Sequence, residues 1–120
     1  MSGELSENVK ASTGSIDPAA VAKMFGITKR RLADAVNLPA AALYRKSRVS
    51  GRATQARLRD FVEFMDGIVA WHGTPPRAFN WYSWHPLPPF GGRTAEEVFK
   101  AEGIGALKTW AGQVEAGVYI

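Results

Sequence analysis

The sequence predicts an all-α fold, and three observations predict it. Apolar side chains recur at helical spacing in successive segments, and no segment alternates with period two for long enough to make a strand. The helical segments are also bounded by capping and turn-forming residues. With 120 residues, 46% of them hydrophobic, the chain has the size of one ordinary domain, or of two small helical units sharing a core. The apolar content is that of a folded chain.

Residues 1–16 hold few apolar side chains and several Ser, Thr and Gly, which reads as a flexible N-terminal arm. Asp17-Pro18 then gives an N-cap followed by proline at the first helical position, where its missing N–H costs nothing. Ala20, Val21, Met24 and Phe25 carry that helix to Gly26, a residue suited to a left-handed C-terminus. Thr28 caps a second helix over residues 29–36. Asn37-Leu38-Pro39 makes a tight turn, with Asn37 tolerating a left-handed backbone, and Pro39 opens a helix over residues 40–46. After a break at Ser50-Gly51, the strongest helix runs from about 53 to 71 with Leu58, Phe61, Val62, Met65, Ile68 and Val69 as one apolar stripe.

Gly73-Thr74-Pro75-Pro76 ends that helix, and a short aromatic helix follows over residues 77–84. Residues 85–92 are rich in Pro and Gly and read as irregular. Thr94-Ala95-Glu96-Glu97 matches a capping box, opening a helix that carries Val98 and Phe99. A last helix, roughly residues 105–116, places Leu107, Trp110 and Val114 on one side. The expected organisation is an arm over 1–16, a helix-turn-helix and dimerisation region over 17–72, and a second small helical unit over 73–120.

Several functional classes drop out. The chain has no cysteine, so disulfides, thiolate metal sites and cysteine nucleophiles are excluded. No apolar run approaches the ~20 residues that span a bilayer, and the polar start has no apolar signal region. A cytoplasmic protein is expected. His72 and His85 are the only histidines, with no carboxylate cluster at ligand spacing around them. Gly91-Gly92-Arg93 lacks the context of a phosphate loop. No set of nucleophile, base and oxyanion donors converges, so the expectation is a binding protein that is not an enzyme and uses no cofactor or metal.

Charge is segregated. Residues 23–59 carry ten Lys and Arg against Asp34 alone, a net +9, whereas residues 60–120 carry four against seven, a net −3. Two surfaces with two partners are implied. The basic stretch coincides with a helix-turn-helix pattern. Ala33 is the small residue where two helices cross, Asn37 stands where the turn is usually glycine, and Leu32, Val36, Leu38 and Leu43 bind the pair together. Ala40, Ala41, Tyr44 and Arg45 would face a major groove, with Lys29, Arg30, Arg31, Lys46, Arg48, Arg52 and Arg57 toward phosphates. The plainer reading is two packed helices with a solvated basic face. The stretch Phe79-Asn80-Trp81-Tyr82-Ser83-Trp84 offers either a stacking platform for single strands or core for the C-terminal unit. Its acidic setting favours core.

The C-terminal half resembles the toxin-binding domain of the Xre/MbcA/ParS antitoxin family. The resemblance lies in Asn80-Trp81 ahead of a Pro-rich stretch, in residues 90–98 beginning Phe90-Gly91-Gly92-Arg93, and in the ending Gly117-Val118-Tyr119-Ile120. Ala95 stands near where that family has proline, a modest departure. The resemblance implies an autorepressor that neutralises a RES-domain toxin, an enzyme that degrades NAD⁺, and the helix-turn-helix, which needs two copies about one DNA turn apart to bind operator DNA, predicts a homodimer. The resemblance also implies toxin contacts at Arg93, Glu115, Gly117, Val118, Tyr119 and Ile120, with the tail occluding the toxin's cleft. The same last residues would otherwise fold back to close the core. A stand-alone helix-turn-helix regulator with a dimerising or sensing C-terminal unit is the competing reading.

Overall fold

The computed structural model describes residues 9, 10 and 15–115. Among them the chain is mostly helical, as expected. Helix α1 (Pro18–Phe25) starts where the Asp17 carboxylate accepts the Ala19 amide at 3.0 Å, and it stops at Gly26 with φ 73°. Helix α2 (Lys29–Ala35) is capped by the Thr28 hydroxyl, which accepts the Arg31 amide at 3.0 Å. Asn37 then turns the chain with φ 58°. Two one-turn helices follow, α3 (Ala41–Tyr44) and α4 (Lys46–Val49). The expected helix over 40–46 is therefore broken at Arg45, whose ψ is 121°. Arg45, Lys46 and Arg48 crowd one turn with like charge and no carboxylate at helical spacing to offset it.

Helix α5 (Arg52–His72) spans 21 residues, about 31 Å, and ends at Gly73 with φ 90°. Helix α6 (Pro75–Trp84) begins two residues earlier than expected, because Thr74 caps it and Pro75 occupies the first helical position. The stretch expected to be irregular contains a two-residue strand, β1 (Pro86–Leu87), then a 3₁₀ turn (Pro88–Phe90). Strand β2 (Arg93–Thr94) pairs antiparallel with β1, Pro86 opposite Thr94 and Leu87 opposite Arg93. Strands this short carry no alternation to read. Helix α7 (Ala95–Glu102) opens with both bonds of the capping box: Glu97 N–H to Thr94 Oγ1 at 3.1 Å, and Thr94 N–H to Glu97 Oε1 at 2.8 Å. Helix α8 (Gly105–Glu115) completes the described chain.

The segments before and after residue 72 share one core. Phe61 of α5, fully buried, has ring centroids 5.4 Å from Phe25 of α1, 6.4 and 5.2 Å from Phe79 and Tyr82 of α6, and 6.5 Å from Phe99 of α7. Edge-to-face geometry at these separations adds to the burial itself. No helix among the described residues is long and apolar enough to cross a membrane.

Of the expected arm, residues 9, 10, 15 and 16 are described, and these four are not free. Val9 and Ile16 are buried, Lys10 bridges to Ile16, and the Asp17 amide donates to the Val9 carbonyl at 2.8 Å. The side-chain amide of Gln55, itself buried in α5, accepts the Ile16 N–H at 2.8 Å and donates to the Ile16 carbonyl at 2.9 Å. Burial of these two apolar side chains in the core stabilises their placement.

Candidate nucleic-acid interface

The turn at Asn37 lays α3 across α2, with Leu32, Ala33, Val36 and Leu43 buried between them and the rest of the core. Leu38 packs against the same core from a half-buried position. That burial directs the polar positions outward. Arg30, Tyr44, Arg45, Lys46, Arg48 and Arg52 are exposed, while Lys29, Ala40 and Ala41 are half-buried. Lys29 Nζ sits 4.4 Å from the centroid of the Tyr44 ring, a cation–π contact that fixes an otherwise free tyrosine. Both line an open cleft of about 540 Å³ with Ser15, Asp17, Lys46 and Ser50. Among the described residues, no carboxylate pairs with Arg30, Arg45, Lys46, Arg48 or Arg52.

Arg31 is different, and the sequence reading is corrected there. Its two terminal nitrogens donate to Glu96 of α7 at 2.7 and 2.8 Å, a bidentate pair joining residues 65 positions apart. The same guanidinium reaches Ser83 at 3.0 Å and Asp34 at 3.2 Å, and lies 5.0 Å from the centroid of the Phe79 ring. The Glu96 hydrogen bond raises the Arg31 pKa above its ordinary value, against the opposing effect of burial. This arginine is committed inside the protein, and it is removed from the set offered to phosphates. Lys100 adds a second tie from α7, to Asp34 at 3.2 Å, and its carbonyl accepts from the Asn37 amide at 3.3 Å. Deeper still, the Tyr82 hydroxyl donates to the Ala35 carbonyl at 2.7 Å. Burial pushes that phenol well above its ordinary pKa, with the Glu96 charge adding to the effect. Nothing in the sequence pairs Arg31 with Glu96. A carboxylate one residue into a helix reads as a favourable first-turn charge, and its partner comes only with the fold.

The aromatic stretch divides. Phe79 and Tyr82 are core, as expected, but Trp81 is half-buried and Trp84 is 76% exposed. The core reading fails for Trp84 because α6 buries one side only, that of Ala78, Phe79 and Tyr82. His72 and His85 both pack against Trp81, at 5.6 and 6.1 Å between ring centroids. Of the residues implied by the family resemblance, Arg93 donates to Glu102 at 2.7 Å and to the Phe90 carbonyl at 3.2 Å. Glu115 is exposed at the end of α8. Gly117, Val118, Tyr119 and Ile120 lie outside the described residues. No protein-family model, curated protein or solved structure matches this chain.

Proposed function

We propose that this protein is the antitoxin of a toxin–antitoxin pair, a cytoplasmic homodimer that represses its own operon and neutralises a RES-domain toxin. The observation that carries the DNA half is the set of exposed cations, Arg30, Arg45, Lys46, Arg48 and Arg52, with no carboxylate partner among the described residues. Duplex phosphates are the counter-charge that such a set fits. The α2–turn–α3 unit supplies the docking shape, with Tyr44 held by Lys29 at the outer end of α3. Because α3 is one turn long, few base edges come within its reach. Affinity then rests on phosphates and sequence preference on Tyr44, Arg45 and duplex shape. The toxin half rests on the resemblance of the C-terminal segment, through Arg93, Glu115 and the tail.

The test is a pair of measurements. Binding to a duplex from upstream of its own gene is titrated against salt for the native chain and for Arg45→Ala/Lys46→Ala. The double variant should bind more weakly, with the slope of log K on log salt shallower by about 1 for the phosphate contact of Lys46. Salt-insensitive binding, or an unchanged slope, removes the DNA assignment. Co-expression with the neighbouring reading frame should yield a complex that this double variant still forms. If no toxin co-purifies, the stand-alone regulator is the better reading.

A further inference from the structure

The solvent side of α6 carries two indoles: Trp81 packs partly against the core, and Trp84 is not accounted for by it. Arg77, Asn80, Trp81 and Trp84 recur one helical turn apart, away from the side that buries Phe79 and Tyr82. An indole left 76% exposed gains little from folding. With His72 and His85, these residues line an open cleft of about 680 Å³, a size typical of ligand sites. The Trp81 and His85 rings lie within 20° of parallel at 6.1 Å, and Trp81 is also stacked with Trp110, at 13° and 5.8 Å. A further planar ring can extend such a stack.

The charge around the cleft narrows the ligand. Its walls hold one arginine and two imidazoles and no carboxylate, although residues 60–120 are acidic overall. Among the described residues no carboxylate pairs with Arg77. The Asn80 amide offers both a donor and an acceptor. A purely apolar occupant would strip water from Arg77 and Asn80 without replacing their hydrogen bonds. Duplex DNA keeps its base faces stacked and offers none to an indole.

We infer that this cleft binds a nucleotide: a nucleobase stacked on the Trp81, Trp84 and His85 surface, its edge met by Asn80 and its phosphate by Arg77. The nucleotide is either free or an unpaired residue of a single strand. This goes beyond the antitoxin reading and stands or fails independently of it.

Equilibrium dialysis of the full chain against AMP, adenosine and a single-stranded octadeoxyadenylate tests the site. AMP should bind saturably and more tightly than adenosine. Trp84→Ala should weaken AMP at least about tenfold, the loss of one stacked base. Arg77→Ala should bring AMP down to the adenosine level while leaving adenosine unchanged. Both side chains are exposed, so the melting temperature should hold in each variant. Tighter binding of the oligonucleotide identifies a single strand as the source, and tighter binding of AMP identifies the free nucleotide. Adenosine binding as tightly as AMP overturns the phosphate contact. Absence of binding by all three probes at ~5 mM, or binding indifferent to both substitutions, overturns the site. Oligonucleotide binding that survives Trp84→Ala belongs to the cationic face and counts against the cleft.

Discussion

The two ends of α5 present opposite surfaces. At its start, α3 and α4 leave unpaired cations in water, and the phenylalanines nearby are buried. At its end, Trp71 of α5 and Trp84 of α6 stand at the surface, and of the nearby cations Arg93 and Lys108 are paired, with Glu102 at 2.7 Å and Glu63 at 3.6 Å, while Arg77 has no carboxylate partner among the described residues. At each end, residues alike in the sequence meet different surroundings. Arg30 and Arg31 are adjacent in sequence and equal in any charge count, yet one is free in solvent and the other is held by Glu96. Trp84 and Tyr82 are two residues apart, and one is exposed while the other is at 0% exposure. The exposed, unpartnered member of each pair points to a function. Its neighbour explains the fold.

The contrast breaks first if the two ends fold separately. Phe61 touches rings from both, so Phe61→Ala should cost about 4 kcal/mol and unfold the chain in one transition. Denaturation followed by circular dichroism and by indole fluorescence should give coincident midpoints. Separated midpoints would mean that the ends hold two cores. A smaller effect tests what ties the ends at the surface. Glu96→Ala leaves Arg31 without its bidentate partner and should cost about 2 kcal/mol. That is less than the loss of a fully buried pair, because a third of the Arg31 side chain meets solvent. A denaturation midpoint unchanged in Glu96→Ala would show the tie to be ornamental.

A single buried hydrogen bond between α6 and α2 contributes less. Tyr82→Phe removes the bond to the Ala35 carbonyl and should cost about 1 kcal/mol at neutral pH. Because burial raises the Tyr82 phenol above its ordinary 10.0, the folded chain keeps a proton that the unfolded chain releases. The stability from this group is fully present below about pH 10 and is lost as pH rises toward the folded value. Chemical denaturation across that range should show a shallower alkaline decline in Tyr82→Phe than in the native chain. Parallel curves would place the phenol in contact with water.

What the sequence made legible was local. The caps at Asp17, Thr28 and Thr94–Glu97, the left-handed Asn37 and the stripe of α5 each rest on neighbours within four residues, and each is found. What stayed hidden was set by partners distant in the chain. Val9 and Ile16 are two apolar residues in a polar stretch, and the side-chain amide that holds Ile16 comes from Gln55, 39 positions away. The break at Arg45, where ψ is 121°, leaves no mark in the hydrophobic pattern. At the candidate interface, a count of cations picks out a stretch in which Arg30, Arg45, Lys46, Arg48 and Arg52 are exposed, but it includes Arg31, because a count is blind to a carboxylate 65 residues away.

The length of α5 has a mechanical consequence. It is one unbroken rod of about 31 Å, gripped by α4 near one end and by α8 toward the other. A rotation of about 5° around its middle, acting over a half-length of about 15 Å, carries each tip about 1.3 Å, in opposite directions. That travel is near half the length of a hydrogen bond. A tilt too slight to disturb the packing of Phe61 at the fulcrum thus makes or breaks contacts at both tips together.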